Sequence, residues 1–232
     1  LRELMPDLGQ TAVREQIVFT THTPVAAGNE VHPLGELRRL GACCELVDGE
    51  MRQIGDDPFN MTVAGLRLAR RANAVSQIHG GVSRNMWSDV TGAADIIAIT
   101  NGVHPPTWQD VRVRDAAGSA DTLWTTHQVL KRELLDEVAL RTGVRLDTDV
   151  LTLGFARRAA SYKRSDLIFR DPKRLAPLLR DRRIQLVFAG KSHPDDQDGR
   201  HIVGRLVEMA RAQPHSVVFV PDYDMKLGRL LT

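Results

Sequence analysis

Five short apolar runs rich in Val and Ile recur along this chain, and longer amphipathic stretches separate them. They cover residues 17–19, 96–99, 150–155, 186–188 and 217–219. Short apolar runs bounded by polar loops are typical of parallel strands that are buried on both faces. Because parallel neighbours need a long crossover, usually a helix, the alternation of strands and helices predicts a doubly wound α/β fold.

Helix start signals appear twice between these runs. Asp57-Pro58 and Asp171-Pro172 each place a capping residue ahead of a proline that suits the first helical position. A third stretch, residues 123–138, repeats apolar residues at helical spacing. We therefore expect helices to begin near residues 58, 123 and 172.

A linker is predicted near the middle of the chain. Residues 105–121 are rich in proline, glycine, alanine and serine, which are typical of connecting segments. We therefore place a domain junction between residues 100 and 120.

The charge is uneven, although the formal net charge is only +2. Residues 154–183 hold ten Lys or Arg against three Asp. This basic block lacks the interleaved aromatic side chains of single-strand nucleic-acid binders, so no nucleic-acid partner is expected.

The expected compartment is the cytoplasm. No apolar run approaches the length of a membrane span, so no membrane partner is expected. The two cysteines, Cys43 and Cys44, are adjacent, and a bridge between neighbours is strained, which favours reduced thiols and a reducing compartment.

Polar segments follow each apolar run, at the strand ends where doubly wound folds bind ligands. Four cations, Arg157, Arg158, Lys163 and Arg164, come directly after the run at 150–155. Burying unpaired cations costs several kcal/mol each, so a bound anion is one explanation. We expect Lys163 to open a helix whose amino terminus would also attract phosphate. The alternative is a solvated basic turn.

Three further loops have side chains that could bond sugar hydroxyls: residues 21–30, 100–108 and 76–87. The first two could equally be turns with a capping Thr or Asn. The third places His79 beside Gly80-Gly81 ahead of an expected helix, but a lone histidine is more often simply hydrogen-bonded.

Several enzyme classes lack their signature in this sequence. The eight histidines show no His-Glu-x-x-His or Cys-His zinc spacing, and we predict no metal site. Neither a Gly-x-Ser-x-Gly elbow nor a Walker loop is present, so hydrolase and nucleotide-triphosphatase functions have no support.

Six ordered segments together resemble the α-glucan (glycogen and maltodextrin) phosphorylase family, in its shorter bacterial and archaeal branch. They are VFTTHTPVAAG, FNMTVAGLRLARRANAVSQIHGGVSR, ITNGVHPPTW, LGFARRAASYKRSDLIF, FAGKSHPDD and VVFVPDYDM. The resemblance implies two Rossmann-like domains in the GT-B glycosyltransferase arrangement. It also implies pyridoxal 5'-phosphate as cofactor, and phosphorolysis of α-1,4-glucan by inorganic phosphate to α-glucose 1-phosphate.

The same resemblance implies how the chain is organised. Residues 1–100 correspond to part of the amino-terminal domain, which carries the glucan and sugar site. Residues 101–145 correspond to a hinge and connecting helix, and residues 146–232 to part of the carboxy-terminal phosphate and cofactor domain. Both domains are expected to be incomplete, with the cofactor lysine beyond Thr232 and no phosphorolysis by the chain alone.

Phosphate roles transfer onto three cations by this resemblance. Arg158 corresponds to the arginine that grips the attacking phosphate. Lys163 corresponds to the lysine between the substrate phosphate and the cofactor phosphate, and Arg157 to a basic position near the cofactor. Arg158 and Lys163 are therefore expected to be catalytic, with Arg157 and Lys163 binding the cofactor.

Sugar roles transfer onto other residues. Tyr162 is expected to bond the 2-hydroxyl of the glucosyl unit, and Asn101 to lie near its 4- and 6-hydroxyls. His79 is the candidate for the 6-hydroxyl ligand, although a shift of two residues would give that role to Gln77.

Two other functions remain open at the level of sequence. A retaining nucleotide-sugar glucosyltransferase of the glycogen-synthase type shares the fold and an Arg and Lys pair that holds a diphosphate. A non-catalytic glucan-binding module would bind oligosaccharide without turnover. The parent enzyme could be a homo-oligomer.

Overall fold

The computed structural model describes residues 10–23, 28–43 and 45–232. Residues 24–27 of the first polar loop, and Cys44, therefore lie outside the described part. Two compact units divide the chain, Leu1–Gly102 and Val103–Thr232. Each contains a three-stranded parallel sheet with helices, which confirms the predicted α/β class with parallel sheets.

The first unit has a parallel sheet and a small antiparallel pair. Its elements are α1 Gln10–Glu15, β1 Val18–Thr21, β2 Val31–His32, α2 Leu34–Arg39, α3 Asp48–Gly55, β3 Phe59–Asn60, α4 Met61–Leu68, β4 Arg71–Ala74, α5 Gln77–Met86 and β5 Ile96–Ala98. The parallel sheet has the order β1-β4-β5, and β2 pairs with β3.

Strand β4 was not predicted, although it is the central strand of its sheet. Its sequence, Arg-Ala-Asn-Ala, has no Val, Ile or aromatic residue. Ala72 and Ala74 are nevertheless fully buried, because the strand has a partner on each side. The neighbours, rather than its own side chains, make this segment a strand.

The helix expected at Pro58 begins three residues later. Asn60 caps α4, and its Oδ1 accepts hydrogen bonds from the backbone N–H groups of Thr62 (2.9 Å) and Val63 (3.2 Å). The Asp57-Pro58 prediction was therefore wrong, because Phe59 and Asn60 pair with β2.

The second unit contains the longest helix and the second sheet. Its elements are α6 Pro105–Trp108, α7 Val111–Ala116, α8 Ala120–Thr142, β6 Leu151–Ala156, α9 Pro172–Arg180, β7 Ile184–Ala189, α10 Gln197–Ala212, β8 Val217–Val220 and α11 Met225–Leu230. The predicted linker at 105–121 is largely helical, since α6, α7 and the start of α8 occupy it. The predicted cap of α9 is confirmed, because Asp171 accepts from the N–H of Arg174 at 3.1 Å.

Strand β7 lies between β6 and β8 and is packed on both faces. Leu186 and Phe188 belong to one core cluster, with residues of α9 and α10. Val187 and Ala189 belong to another, with residues of α8 and α11. Alternate residues of a strand point to opposite faces, so helices cover both faces of β7.

Candidate functional site

The basic loop, residues 157–164, follows β6 at its carboxyl end. Its middle residues, Ala159 and Ala160, are buried, whereas Arg157, Arg158 and Arg164 are exposed. The loop therefore has a buried backbone anchor and side chains that are available to a ligand.

Lys163 does not open a helix, contrary to the prediction. Ser161–Lys163 form a single 3-10 turn, which Lys163 ends. Arg164 follows in the left-handed region, with φ 54°, and the next α-helix begins only at Pro172. Lys163 therefore does not stand at the amino terminus of an α-helix, and its own turn adds no helix dipole to the attraction for an anion.

The cations of this region have no acidic partners among residues 10–23, 28–43 and 45–232. Within the described part of the chain, none of Arg157, Arg158, Lys163, Arg164 and Lys191 forms an ion pair with a carboxylate. They are exposed, apart from Lys163, which is half-buried. The predicted need for an anion to offset buried charge therefore does not apply. The case for an anion instead rests on uncompensated positive charge at a strand end.

Tyr162 interacts with two of these cations, Arg158 and Lys163. The Nζ of Lys163 is 4.6 Å from the centroid of the Tyr162 ring, within the range of a cation–π contact. Desolvation raises the pKa of the phenol, but hydrogen bonds from Arg158 and Lys163, together with their charges, outweigh it and lower the pKa below its usual value. The structure therefore brings Arg158, Tyr162 and Lys163 together, and their roles toward phosphate, cofactor and sugar stay predictions.

Lys191 was not predicted as a site residue, yet it belongs to the same region. It follows β7, and its carbonyl oxygen accepts a hydrogen bond of 2.9 Å from the backbone N–H of Ala159. Its position directly after an apolar run was the signal available in the sequence.

The first unit places different residues at its strand ends. Asn101 is exposed after β5, and its backbone N–H donates to the carbonyl of Val75 at 3.1 Å. Val75 follows β4, and Gln77 begins α5 with an exposed side chain. Asn101 and Gln77 are thus two exposed, uncharged side chains on segments that the Asn101–Val75 backbone hydrogen bond joins.

His79 lies inside α5, not in a loop ahead of it, so that local prediction was wrong. Ser76 caps this helix by accepting from the N–H of His79 at 3.1 Å. The imidazole is 7% exposed, and its Nδ1 accepts from the N–H of Val75 at 3.2 Å. Its Nε2 is buried without a hydrogen-bond partner in the described part. Its contact with sugar stays a prediction, and Gln77 is the more exposed of the two candidates.

A cavity of about 1710 Å³ lies elsewhere in the second unit, against α6, α7, α8 and the start of β6. Trp108, Trp124 and Leu151 line it, and none of the basic-loop residues does. No group of three metal-binding side chains is found in the described ranges. Among the same residues, no helix is both long and apolar enough to cross a membrane.

Comparison with known proteins identifies relatives along the full chain. No protein-family model matches this sequence. Glycogen phosphorylase of Mycobacterium tuberculosis is 38% identical over 298 aligned residues, covering 100% of this chain and 34% of that protein. An uncharacterized protein of Methanocaldococcus jannaschii is 37% identical, covering 99% of this chain and 44% of its own length.

A maltodextrin phosphorylase supports the same assignment. The protein from Thermococcus litoralis is 30% identical over 269 residues, covering 95% of this chain and 32% of its own length. The chain thus spans about a third of the length of the named phosphorylases that it matches. The ordered motifs and these relatives together show that this chain belongs to the glycogen and maltodextrin phosphorylase family.

Proposed function

We propose that this chain carries the phosphate-binding loop and part of the sugar site of an α-glucan phosphorylase. Such an enzyme transfers a terminal glucosyl unit of α-1,4-glucan to inorganic phosphate, giving α-glucose 1-phosphate. The main supporting observation is the arrangement of Arg158 and Lys163 around Tyr162, with no carboxylate of the described residues paired to either cation. The names of the relatives agree with this function.

The proposed roles follow from side-chain chemistry. Arg158 binds the incoming phosphate, because a guanidinium can donate two parallel hydrogen bonds to its oxygens. Lys163 adds a compact positive charge that stabilises the negative charge on crowded phosphate oxygens. Tyr162 donates a hydrogen bond to the 2-hydroxyl of the glucosyl unit, and Asn101 forms hydrogen bonds near the 4- and 6-hydroxyls of the same unit. Either His79 or Gln77 contacts the 6-hydroxyl of the glucosyl unit.

Pyridoxal 5'-phosphate is the cofactor that the family implies, and the residues present fit its phosphate end. The basic loop contains four cations and no acidic side chain, and none of the four is paired with a carboxylate elsewhere in the described ranges. Arg157 and Lys163 would hold the cofactor phosphate. When bound, the cofactor supplies a phosphate group that can exchange a proton with inorganic phosphate. No lysine of this chain is assigned to its covalent attachment, and we propose that the chain alone has no phosphorolytic activity.

The experiment is a titration of the chain with inorganic phosphate, comparing the parent with Arg158→Lys. Lysine keeps the charge but loses the planar fork, so phosphate affinity should fall about ten- to hundredfold, the equivalent of about 1.5–3 kcal/mol. Arg211→Lys, at the exposed end of α10, is the matched control and should change nothing. In a full-length phosphorylase, Arg158→Lys should lower kcat/KM for phosphate and leave pyridoxal content unchanged.

Equal phosphate affinity in the parent and in Arg158→Lys would refute the assigned role of Arg158. Tight binding of a nucleotide sugar, with no response to phosphate, would instead indicate a glycogen-synthase-type transferase. Glucan binding that ignores phosphate in the full-length protein would indicate a glucan-binding module. We further infer a cytoplasmic protein that acts on α-1,4-glucan, without a nucleic-acid or membrane partner.

A further inference from the structure

Gly190 brings the segment after β7 against the start of the basic loop. It has φ 143°, a conformation that side chains with a Cβ rarely adopt. A Cβ at this position would lie 2.1 Å from the carbonyl oxygen and 3.1 Å from the carbonyl carbon of Arg157. These are backbone atoms, so the clash could be relieved only by moving the loop or β7.

Gly199 makes a second close approach, from the first turn of α10. A Cβ there would lie 2.5 Å from the carbonyl oxygen of Ala159. The N–H of Gly199 donates to the capping Asp196 at 2.8 Å, which ties this turn to its own helix start. The N–H of Ala159 in turn donates to the carbonyl of Lys191 at 2.9 Å. The loop backbone is therefore held from two directions.

The close approach is local to the start of α10. Gly204, five residues further along the same helix, has no atom within 4 Å of the position that its Cβ would take. Ala159 is 3% exposed and belongs to the core cluster around Phe188. The core thus includes the loop at Ala159, which lies directly after the exposed Arg157 and Arg158.

We propose that Gly190 and Gly199 are positioning residues for the basic loop. Because neither glycine has a side chain, the segment from the end of β7 to the start of α10 packs closely against Arg157–Ala159. This packing, the clamp, keeps Arg158 and Lys163 beside Tyr162. The purpose of this alignment, to present both cations to one phosphate group, rests on the function proposed above. The clamp itself rests only on the contacts of the two glycines and of Ala159. It deepens the assignment by naming residues that touch no ligand but set the geometry of those that do.

The test compares Gly199→Ala and Gly190→Ala with the control Gly204→Ala in the complete 232-residue chain. Inorganic phosphate is the probe, and its affinity should fall at least about tenfold in both clamp variants, a change of about 1.4 kcal/mol. Gly204→Ala should bind phosphate like the parent. Far-UV circular dichroism and the unfolding transition would establish that each variant is folded.

A second readout follows the loop without any ligand. The chain has two tyrosines, so alkaline titration of phenol absorbance, repeated with Tyr162→Phe in each background, isolates the Tyr162 signal. When the loop moves, Arg158 and Lys163 separate from the ring, and the pKa of Tyr162 should rise toward its usual value. A merely destabilising mutation would leave this titration unchanged in the folded protein.

A folded Gly199→Ala protein with the parental Tyr162 titration would overturn the positioning role. If the parent fails to bind phosphate, yet the Tyr162 pKa rises in both clamp variants, the clamp is supported and the proposed phosphate function fails. If neither variant folds, hydrogen exchange of the backbone amides in the parent tests the clamp instead. The Ala159 amide should be protected as strongly as the amides of β7, and rapid exchange would refute the clamp.

Discussion

The strand ends of the two units carry different chemistry. In the first unit, Asn101 and Gln77 are exposed and uncharged, and His79 is buried. In the second unit, the basic loop and Lys191 gather positive charge with no paired carboxylate in the described ranges. The same parallel-sheet architecture therefore presents uncharged amide side chains in one unit and unpaired cations in the other, because the loops rather than the strands carry the exposed polar groups.

The two sheets also differ in how they are covered. Helices pack on both faces of β7, where Val187 and Phe188 are 0% and 3% exposed. In the first sheet, Ile96 is 8% exposed but its neighbour Ile97 is 44% exposed, so one face of β5 is open in the described part. A strand buried on both faces gains more from apolar burial, so β7 should contribute more stability than β5.

The largest expected effect is the loss of a buried ring in the second sheet. Phe188 lies with its ring centroid 5.5 Å from that of Phe169 and 6.5 Å from that of Phe155. Phe188→Ala should lower the free energy of unfolding by about 3–5 kcal/mol, because a cavity remains. Ile97→Ala, on the open face of β5, should cost less than about 1 kcal/mol. Urea denaturation would measure both, and equal losses would show that something covers Ile97.

A buried acid in the second unit should have the next largest effect. Glu137 is 8% exposed and accepts from Arg141 Nε at 2.7 Å and from Lys226. Glu137→Gln should cost about 1.5–3 kcal/mol at pH 7, since charged hydrogen bonds are lost. In the first unit, Asp56 is 2.6 Å from Arg67 but half-exposed, so Asp56→Asn should cost less than about 1 kcal/mol.

The Glu137 contribution should depend on pH with a defined sign. The hydrogen bond from Lys226, followed by that from Arg141, lowers the pKa of Glu137 in the folded state. Its stabilisation is therefore fully present above the unfolded-state pKa, near 4.5, and is lost as the pH falls toward the lowered folded-state pKa. The parent should therefore have a higher free energy of unfolding than Glu137→Gln above this pH range, and the difference should disappear as the pH falls through it. A difference in unfolding free energy that stays constant down to strongly acidic pH would contradict this.

Self-association through a sheet edge is expected to be a smaller effect. Within the described residues, β6 pairs with β7 only, and Leu151 and Leu153 are 60% and 40% exposed. Exposed apolar edges recruit other chains, and an edge lysine opposes this. Leu153→Lys should weaken association of the chain about tenfold in sedimentation velocity. Val18→Lys, at the shorter edge strand β1, should weaken self-association less. If Val18→Lys weakened it more than Leu153→Lys, the first sheet would be the main site of self-association.

The smallest expected effect on stability is at the neutral strand end. Asn101→Ala should change the free energy of unfolding by less than about 0.5 kcal/mol, because its fold contact is a backbone hydrogen bond to Val75. Affinity for a maltooligosaccharide should fall about two- to tenfold, as for one lost neutral hydrogen bond. Asn85→Ala, exposed on α5, is the matched control. Unchanged glucan affinity in Asn101→Ala would remove Asn101 from the sugar site.

The amino-acid sequence by itself determined where the apolar strands lie. All five runs overlap strands of the two parallel sheets, because burying Val, Ile, Leu and Phe in a sheet removes their apolar surface from water. It did not determine β4, whose alanines become strand residues only between β1 and β5. It also misplaced the start of α4, since pairing with β2 took residues 59 and 60 into a strand.

At the site, the sequence determined which cations follow β6, and the family resemblance suggested roles for Arg158, Tyr162 and Lys163. Only the tertiary structure showed that Lys163 ends a 3-10 turn and that the basic side chains are largely exposed. It alone brought Gly199 against Ala159, 40 residues away. Local sequence encodes the charge and burial preference of each residue, whereas contacts between distant backbone segments depend on how β7 and α10 pack, which no short window of sequence contains.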